Sequence, residues 1–317
     1  MDSLQVPVDP VAVAPDQRDE IPPRQQNPAG QPSREADSPD DGTHQVVADL
    51  AFQRLMIANV VYFGQPDGTN RAWVLVDAGV PGSASSILSA AENRFGKGNP
   101  PAAIILTHGH FDHVGGLTQL AERWNVPVYA HYLEMPYLDG SASYPAPDPT
   151  VGGGLMSALS SFYPRGPINV GERLQPLPRD NSVPGMPGWE WIHAPGHTPG
   201  QIALWRETDR FLIAADAFIT TRQESAYAVL TQTPELHGPP MYYTQNWDQA
   251  RETVRHLATL EPEFIVTGHG PAMRGPEMRQ ALHTLARDFD RVAVPTQGVY
   301  VENPATAASG TAYQPAN

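Results

Sequence analysis

Three histidines and an aspartate fall within six residues in Thr107-His108-Gly109-His110-Phe111-Asp112-His113-Val114-Gly115-Gly116. The stretch follows the apolar run Ala102-Ala103-Ile104-Ile105-Leu106, which reads as a buried strand because short Ile-rich runs pack between layers. In extended chain, residues two apart point the same way, so His108 and His110 can converge beyond the strand end. Asp112 and His113 come next, before a Gly115-Gly116 pair expected to let the chain turn into a helix. Imidazole and carboxylate together are the ligand set of zinc, iron or manganese. A polar loop that merely happens to be rich in His explains such density poorly.

The remaining composition narrows the chemistry. The chain has 317 residues, enough for a sizeable core, and no cysteine. Disulfides, thiolate zinc sites, iron–sulfur clusters and cysteine nucleophiles are therefore excluded together. Net charge is −14, of which residues 1–45 carry −6. An acidic body lacks the basic face of a nucleic-acid binder. No apolar run approaches a membrane span, and the N-terminus has neither the basic start nor the apolar core of a signal peptide. The expectation is a soluble cytoplasmic protein with no nucleic-acid or membrane partner.

Residues 1–44 are rich in Pro, Gln, Asp and Ser, a composition too poor in apolar surface to offset chain entropy, and are expected to form a disordered acidic tail. From Gln45 the pattern changes. Ile57–Phe63 and Ala72–Val76 read as strands joined through Pro66-Asp67-Gly68, the second ending on Asp77. A helix starts at Ser83 or Ser85 and runs to Arg94, and another spans Leu117–Trp124. Val126–Ala130 is a strand leading to His131. Residues 132–188 are irregular, with a short helix expected at Leu155–Tyr163, and have the character of a binding loop. Strands follow at Trp189–His193, Gln201–Arg206 and Arg210–Ala214, then a loop over 220–245. A helix capped by Asn246 or Asp248 runs to Leu260, a strand spans Phe264–Thr267, and a helix spans Pro276–Phe289. The domain is thus expected to cover 45–291, with 292–317 a loose tail. Strands alternating with helices indicate an α/β class.

Asp77, His108 with His110, His197, Asp216 and His269 each stand just past an expected strand. Any one of them alone is more simply a turn former or solvated loop residue. Their repetition is the signal, because ligands of α/β sheets bind beyond the strand ends.

This set resembles the metallo-β-lactamase superfamily, in particular its glyoxalase II-like and lactonase-like hydrolases. The motifs run in order through Asp77, His108-Gly109-His110-Phe111-Asp112-His113, His197, Asp216 and His269, covering about residues 45–290. The resemblance implies a four-layer αββα sandwich with a dinuclear metal site on its upper edge. It implies two divalent ions, zinc first, with iron or manganese compatible. His108, His110 and His197 would hold one ion and Asp112, His113 and His269 the other, with Asp216 bridging them. Asp77 would orient a ligand or the metal-bound water, since ligating histidines need a partner for their second nitrogen. Some relatives use Cys in the second group, whereas an all-His/Asp set is expected here.

The implied chemistry is hydrolysis of a small-molecule ester, thioester or lactone by a hydroxide shared between the ions. No Gly-x-Ser-x-Gly elbow offers a protein nucleophile. Asp112 could relay a proton to the leaving group, with Tyr227, Tyr242 and Tyr243 weaker candidates. His131 and His193 are expected to support rather than ligate. Lactonase-like members carry a Tyr three residues after the bridging Asp, but here that residue is Ile219. Ala215 stands where the family usually has Gly, and the tail after residue 290 lacks a helical glutathione-binding pattern. Aromatic loops suggest a partly apolar small-molecule substrate. The alternatives on this fold are a mononuclear iron dioxygenase resembling persulfide dioxygenases and, with less support, a nuclease.

Overall fold

The computed structural model describes residues 42–66, 68–221 and 234–316. The expected tail over 1–44 falls almost entirely outside this range, as do Asp67 of the expected turn and Tyr227.

The first sheet is built from β1 (His44–Val47), β2 (Leu50–Leu55), β3 (Ala58–Phe63), β4 (Val74–Val76), β5 (Ile104–Ile105) and β6 (Val128–Ala130). After a short β7 (Ala142–Ser143) that pairs elsewhere, β8 (Leu174–Pro176) completes it, and the strands lie in that order. The early strands are antiparallel, whereas β4, β5, β6 and β8 are mutually parallel. The second sheet runs β9 (Glu190–His193), β10 (Ile202–Arg206), β11 (Phe211–Ala215), β12 (Phe264–Thr267) and β13 (Met273–Arg274).

Side-chain alternation turns these sheets into layers. Successive residues of a strand face opposite sides. In β3, Val60 and Tyr62 join one core with the helices α1 (Ala84–Phe95) and α3 (Leu117–Trp124), while Val61 and Phe63 join a second. That second core lies between the sheets, where Val61, Val74 and Ile105 meet Ile202, Leu204, Phe211 and Ile213. On the far side, Ala203, Trp205, Leu212 and Ala214 pack under α6 (Trp247–Thr259) and α7 (Gly275–Val292). The result is the αββα sandwich. Asn246 caps α6 by accepting the Gln249 amide at 3.0 Å. Between α3 and α6 lie the short α4 (Met135–Leu138) and α5 (Leu155–Leu159). Among the described residues no helix is long and apolar enough to cross a membrane.

Two expectations are corrected. Gly115 and Gly116 have right-handed helical angles (φ −61° and −96°), so turning freedom is not what they supply. Space is: a Cβ on Gly115 would lie 2.1 Å from the Pro81 backbone nitrogen. The segment after residue 292 is not loose. It forms α8 (Val299–Glu302) and β14 (Gln314–Pro315), which pairs with β7. Ala305 and Ala312 are buried, and the Ala312 carbonyl accepts the Tyr137 hydroxyl at 2.5 Å. Small residues fill the buried positions of this C-terminal strap, which is why its composition looked like that of a tail.

Candidate metal centre

The candidate ligands stand on loops and, for Asp112 and His113, on the one-turn helix α2 (Phe111–Val114), all fixed from behind. Asp77 follows β4 with φ 62°, a left-handed conformation that Asp tolerates better than most residues. Its Oδ1 accepts the Thr107 amide at 2.8 Å, and its Oδ2 accepts the Thr107 hydroxyl and a proton from His113 Nδ1, both at 2.8 Å. Since Thr107 donates to Asp77, it can only accept from His108 Nδ1, 3.1 Å away. Thr244 donates to the Pro240 carbonyl and so accepts from His197 Nδ1 at 3.1 Å. His269 Nδ1 donates to the Ile57 carbonyl at 2.5 Å. In the His108 and His197 rings the proton sits on Nδ1 and the Nε2 lone pair faces inward, whereas His113 and His269 turn Nε2 toward the Asp216 carboxylate, to which His269 Nε2 donates at 3.0 Å. The β2–β3 turn also ties down the His269 loop, because Asn59 donates through Nδ2 to the Thr267 and Gly270 carbonyls at 2.9 and 2.7 Å.

The inward-facing atoms converge. His108, His110 and His197 form one group, His108, His113 and Asp216 a second, and Asp112, His113 and His269 a third, with ligand atoms within 4.8 Å of one another in each. Asp216 Oδ2 lies 3.0 Å from His269 Nε2, 3.4 Å from His197 Nε2 and 3.6 Å from His113 Nε2. All seven side chains are buried. His108 Nε2, His110 Nε2, His113 Nε2 and Asp216 Oδ1 have no hydrogen-bond partner. Buried polar atoms normally have one, and the orphans of His108, His113 and Asp216 fall within one ligand group, while His110 meets its group through Nδ1, 3.0 Å from His197 Nε2; a cation would satisfy such a set. The donor set and these orphaned atoms fit divalent metal ions.

Electrostatics follows the same division. Burial holds the His108 and His110 imidazoles well below their ordinary range, reinforced by His113 for the first and His197 for the second. Burial lowers His197 to about 3. Burial also opposes charge on His113, but Asp216 and then Asp77 outweigh it and raise its pKa. Burial acts against the Asp216 carboxylate, which His269 and His113 nevertheless hold well below the usual range. Asp112 is raised by burial, with His113 and His269 opposing.

Backbone conformation explains two neighbours. Ala215 has φ 50° at a β-bulge next to Asp216, a geometry that favours glycine. At Gly268 a Cβ would sit 2.0 Å from Asp216 Oδ1. Of the other expected residues, Tyr243 lies with its ring 4.5 Å from that of His110, while Tyr242 packs beside it. Phe111 and Tyr163 continue this aromatic wall at a ring separation of 5.3 Å. Ile219 is fully buried. His131 and His193 stack on each other at 4.4 Å, outside the three groups. Sequence reading missed Thr244 and Glu134. Glu134 is fully buried in contact with Gly109, Tyr144, Thr198 and Gly200. Its signal was one acid in the otherwise uncharged run Tyr132–Leu138.

An αββα sandwich with buried His/Asp groups at its strand ends defines the metallo-hydrolase class. The family model of the metallo-beta-lactamase superfamily matches residues 55–269, and the chain belongs to that superfamily. It is 48% identical over 238 residues to the protein described as probable metallo-hydrolase YflN of Bacillus subtilis (strain 168), covering 75% of this chain and 90% of that one. A shorter stretch of 66 residues is 52% identical to hydroxyacylglutathione hydrolase of Xylella fastidiosa (strain M12), covering 20% of this chain and 22% of the relative. The solved structure of a beta-lactamase domain protein from Burkholderia ambifaria shares the fold, with a TM-score of 0.56 at 20% identity over 80% of this chain and 75% of that one.

Proposed function

We propose that this chain hydrolyses a small-molecule ester, thioester or lactone at a dinuclear metal site. The observation that carries the reading is the convergence of His108, His113 and Asp216 in one buried ligand group in which His108 Nε2, His113 Nε2 and Asp216 Oδ1 have no hydrogen-bond partner. In this reading His108, His110 and His197 hold one ion, Asp112, His113 and His269 hold the other, and Asp216 is shared. Divalent ions there supply water with a pKa lowered toward ~7 and a counter-charge for an oxygen that becomes negative.

The chain's own residues do the rest. Asp77 and Thr107 hold the Nδ1 atoms of His113 and His108, so that both rings are oriented with Nε2 toward the site beforehand. Asp112 Oδ2, 3.6 Å from His269 Nε2, is the group placed to take a proton and return it to the leaving oxygen or sulfur. The wall of Phe111, Tyr163 and Tyr243 excludes water beside it and suits a partly apolar acyl or leaving group. The similarity to a hydroxyacylglutathione hydrolase supports a thioester within this class. A complete second group, Asp112, His113 and His269, favours two ions over the single iron of a dioxygenase.

The test is a panel of esters, thioesters and lactones with zinc-, iron- or manganese-loaded protein, before and after chelation. Turnover abolished by chelation and restored by metal is expected. Absence of turnover across the panel by fully loaded protein overturns the reading.

A further inference from the structure

Glu134 is a carboxylate without an apolar or ionic excuse for its position. It is fully buried, and among the described residues no Lys, Arg or His forms an ion pair with it. Buried carboxylates are costly unless fully hydrogen-bonded. Here four donors surround it. Oε1 accepts the Thr198 hydroxyl at 2.8 Å and the Gly200 amide at 2.7 Å; Oε2 accepts the Gly109 amide at 3.0 Å and the Tyr144 hydroxyl. The residue sits at the N-terminus of α4 but makes no capping bond there, so helix capping does not account for it.

The four donors come from meaningful places. Gly109 lies between His108 and His110, and Thr198 and Gly200 lie just past His197. One carboxylate therefore joins the two loops that present the three-histidine group. Both glycines are shaped for that approach: a Cβ on Gly200 would lie 2.8 Å from Glu134 Cγ, and one on Gly109 would lie 2.8 Å from the Tyr144 hydroxyl. Tyr144 in turn lies against the His110 ring at 4.4 Å. By contrast, none of these bonds reaches Asp112, His113 or His269, whose loops are held by Asp77 and by Ile57.

We infer that Glu134 is a positioning residue for the metal group of His108, His110 and His197, clamping the two loops at the spacing a shared ion requires. The inference rests on the reading that these histidines hold a metal.

The test uses the full chain stripped of metal and titrated with Co(II), following the visible bands of a three-imidazole site, with zinc affinities from competition against a chromophoric chelator. Thr198→Val and Tyr144→Phe each remove one donor and are expected to weaken the three-histidine group about tenfold or more. Affinity at the second group and the melting temperature of the metal-free protein should change little. Thr198→Ser, which keeps the hydroxyl, should restore binding. Glu134→Gln should lose more despite its matching shape, because its NH2 faces donors in either orientation. Wild-type affinity in both donor variants overturns the clamp, as does parallel weakening of both groups with a lowered melting temperature. Wild-type protein that takes up no metal at all overturns the metal reading as well.

Discussion

His113 Nδ1 lies 2.8 Å from Asp77 Oδ2, and Asp77 holds its carboxylate there from a left-handed backbone at φ 62°. The pair couples a strained strand end to the ring that faces Asp216. Asp77→Asn keeps a residue that tolerates this backbone while replacing one acceptor oxygen with a donor. Since Thr107 and His113 donate to both oxygens, one donor must then face another. Metal affinity is expected to fall about 10- to 100-fold, measured by chelator competition, with little change in the melting temperature of the metal-free protein.

Gly268→Ala tests space rather than hydrogen bonding. The added methyl would meet Asp216 Oδ1 at 2.0 Å and His113 Cε1 at 2.7 Å. Asp216 must swing away, so metal content per chain should drop to near zero, read by atomic emission. The fold itself should lose about 1–3 kcal/mol, as overpacking typically does. A variant that retains both metals would contradict the placement of Asp216.

His131 predicts a pH dependence away from the metal groups. Burial, helped by the stacked His193, lowers its pKa from 6.5 to about 4; the Tyr132 and Trp191 rings flank it and the Leu133 amide faces its Nδ1 at 3.4 Å. Between these values the unfolded chain takes a proton that the folded chain refuses. Stability is therefore fully present above pH 6.5, falls as pH drops toward 4, and levels off below, by on the order of 2 kcal/mol. Denaturant unfolding of the metal-free protein at several pH values should show this slope added to that of His108, His110 and His197, which burial lowers in the same sense, and His131→Asn should reduce it by the His131 share.

The C-terminal strap predicts a stability effect. Tyr137→Phe removes the hydroxyl that the Ala312 carbonyl accepts and should cost about 1 kcal/mol. Deleting residues 304–317 removes buried Ala305 and Ala312 and uncovers the stacked Tyr137–Tyr144 pair. It should cost several times more, seen as a lower urea midpoint. An unchanged midpoint would mean the strap contributes nothing.

Legibility in the sequence followed chemistry. The seven candidate ligands stood out together: each alone reads as a turn former or loop residue, but their repetition past successive strands is conspicuous. The hairpin of β10 and β11 and the helices α1, α6 and α7 carried strong periodicity. Strands of two residues such as β7 and β14 carry too little pattern to be recognised, and β14 meets β7 across more than half the chain. Glu134 reaches Thr198 and Gly200 over 64 and 66 residues, contacts that no local spacing encodes. Thr244 was hidden for the same reason.

The segment between β6 and β8 has an inner end packed on the metal loops, closed off by Ile168 and Val170 donating to the Tyr137 and Leu138 carbonyls, and an outer end that carries exposed side chains. Glu134, Tyr137 and Tyr144 are buried against the His110 loop, whereas Leu155, Leu159 and Phe162 stand 57%, 41% and 83% exposed. Evolution can therefore treat the two ends differently. Substitutions at the outer end alter what the molecule shows to its surroundings at little cost, while those at the inner end are filtered by the metal loops they support. Diversification among such proteins would then be recorded in the outer residues, and a random library confined to Leu155, Leu159 and Phe162 should yield mostly folded, metal-binding variants.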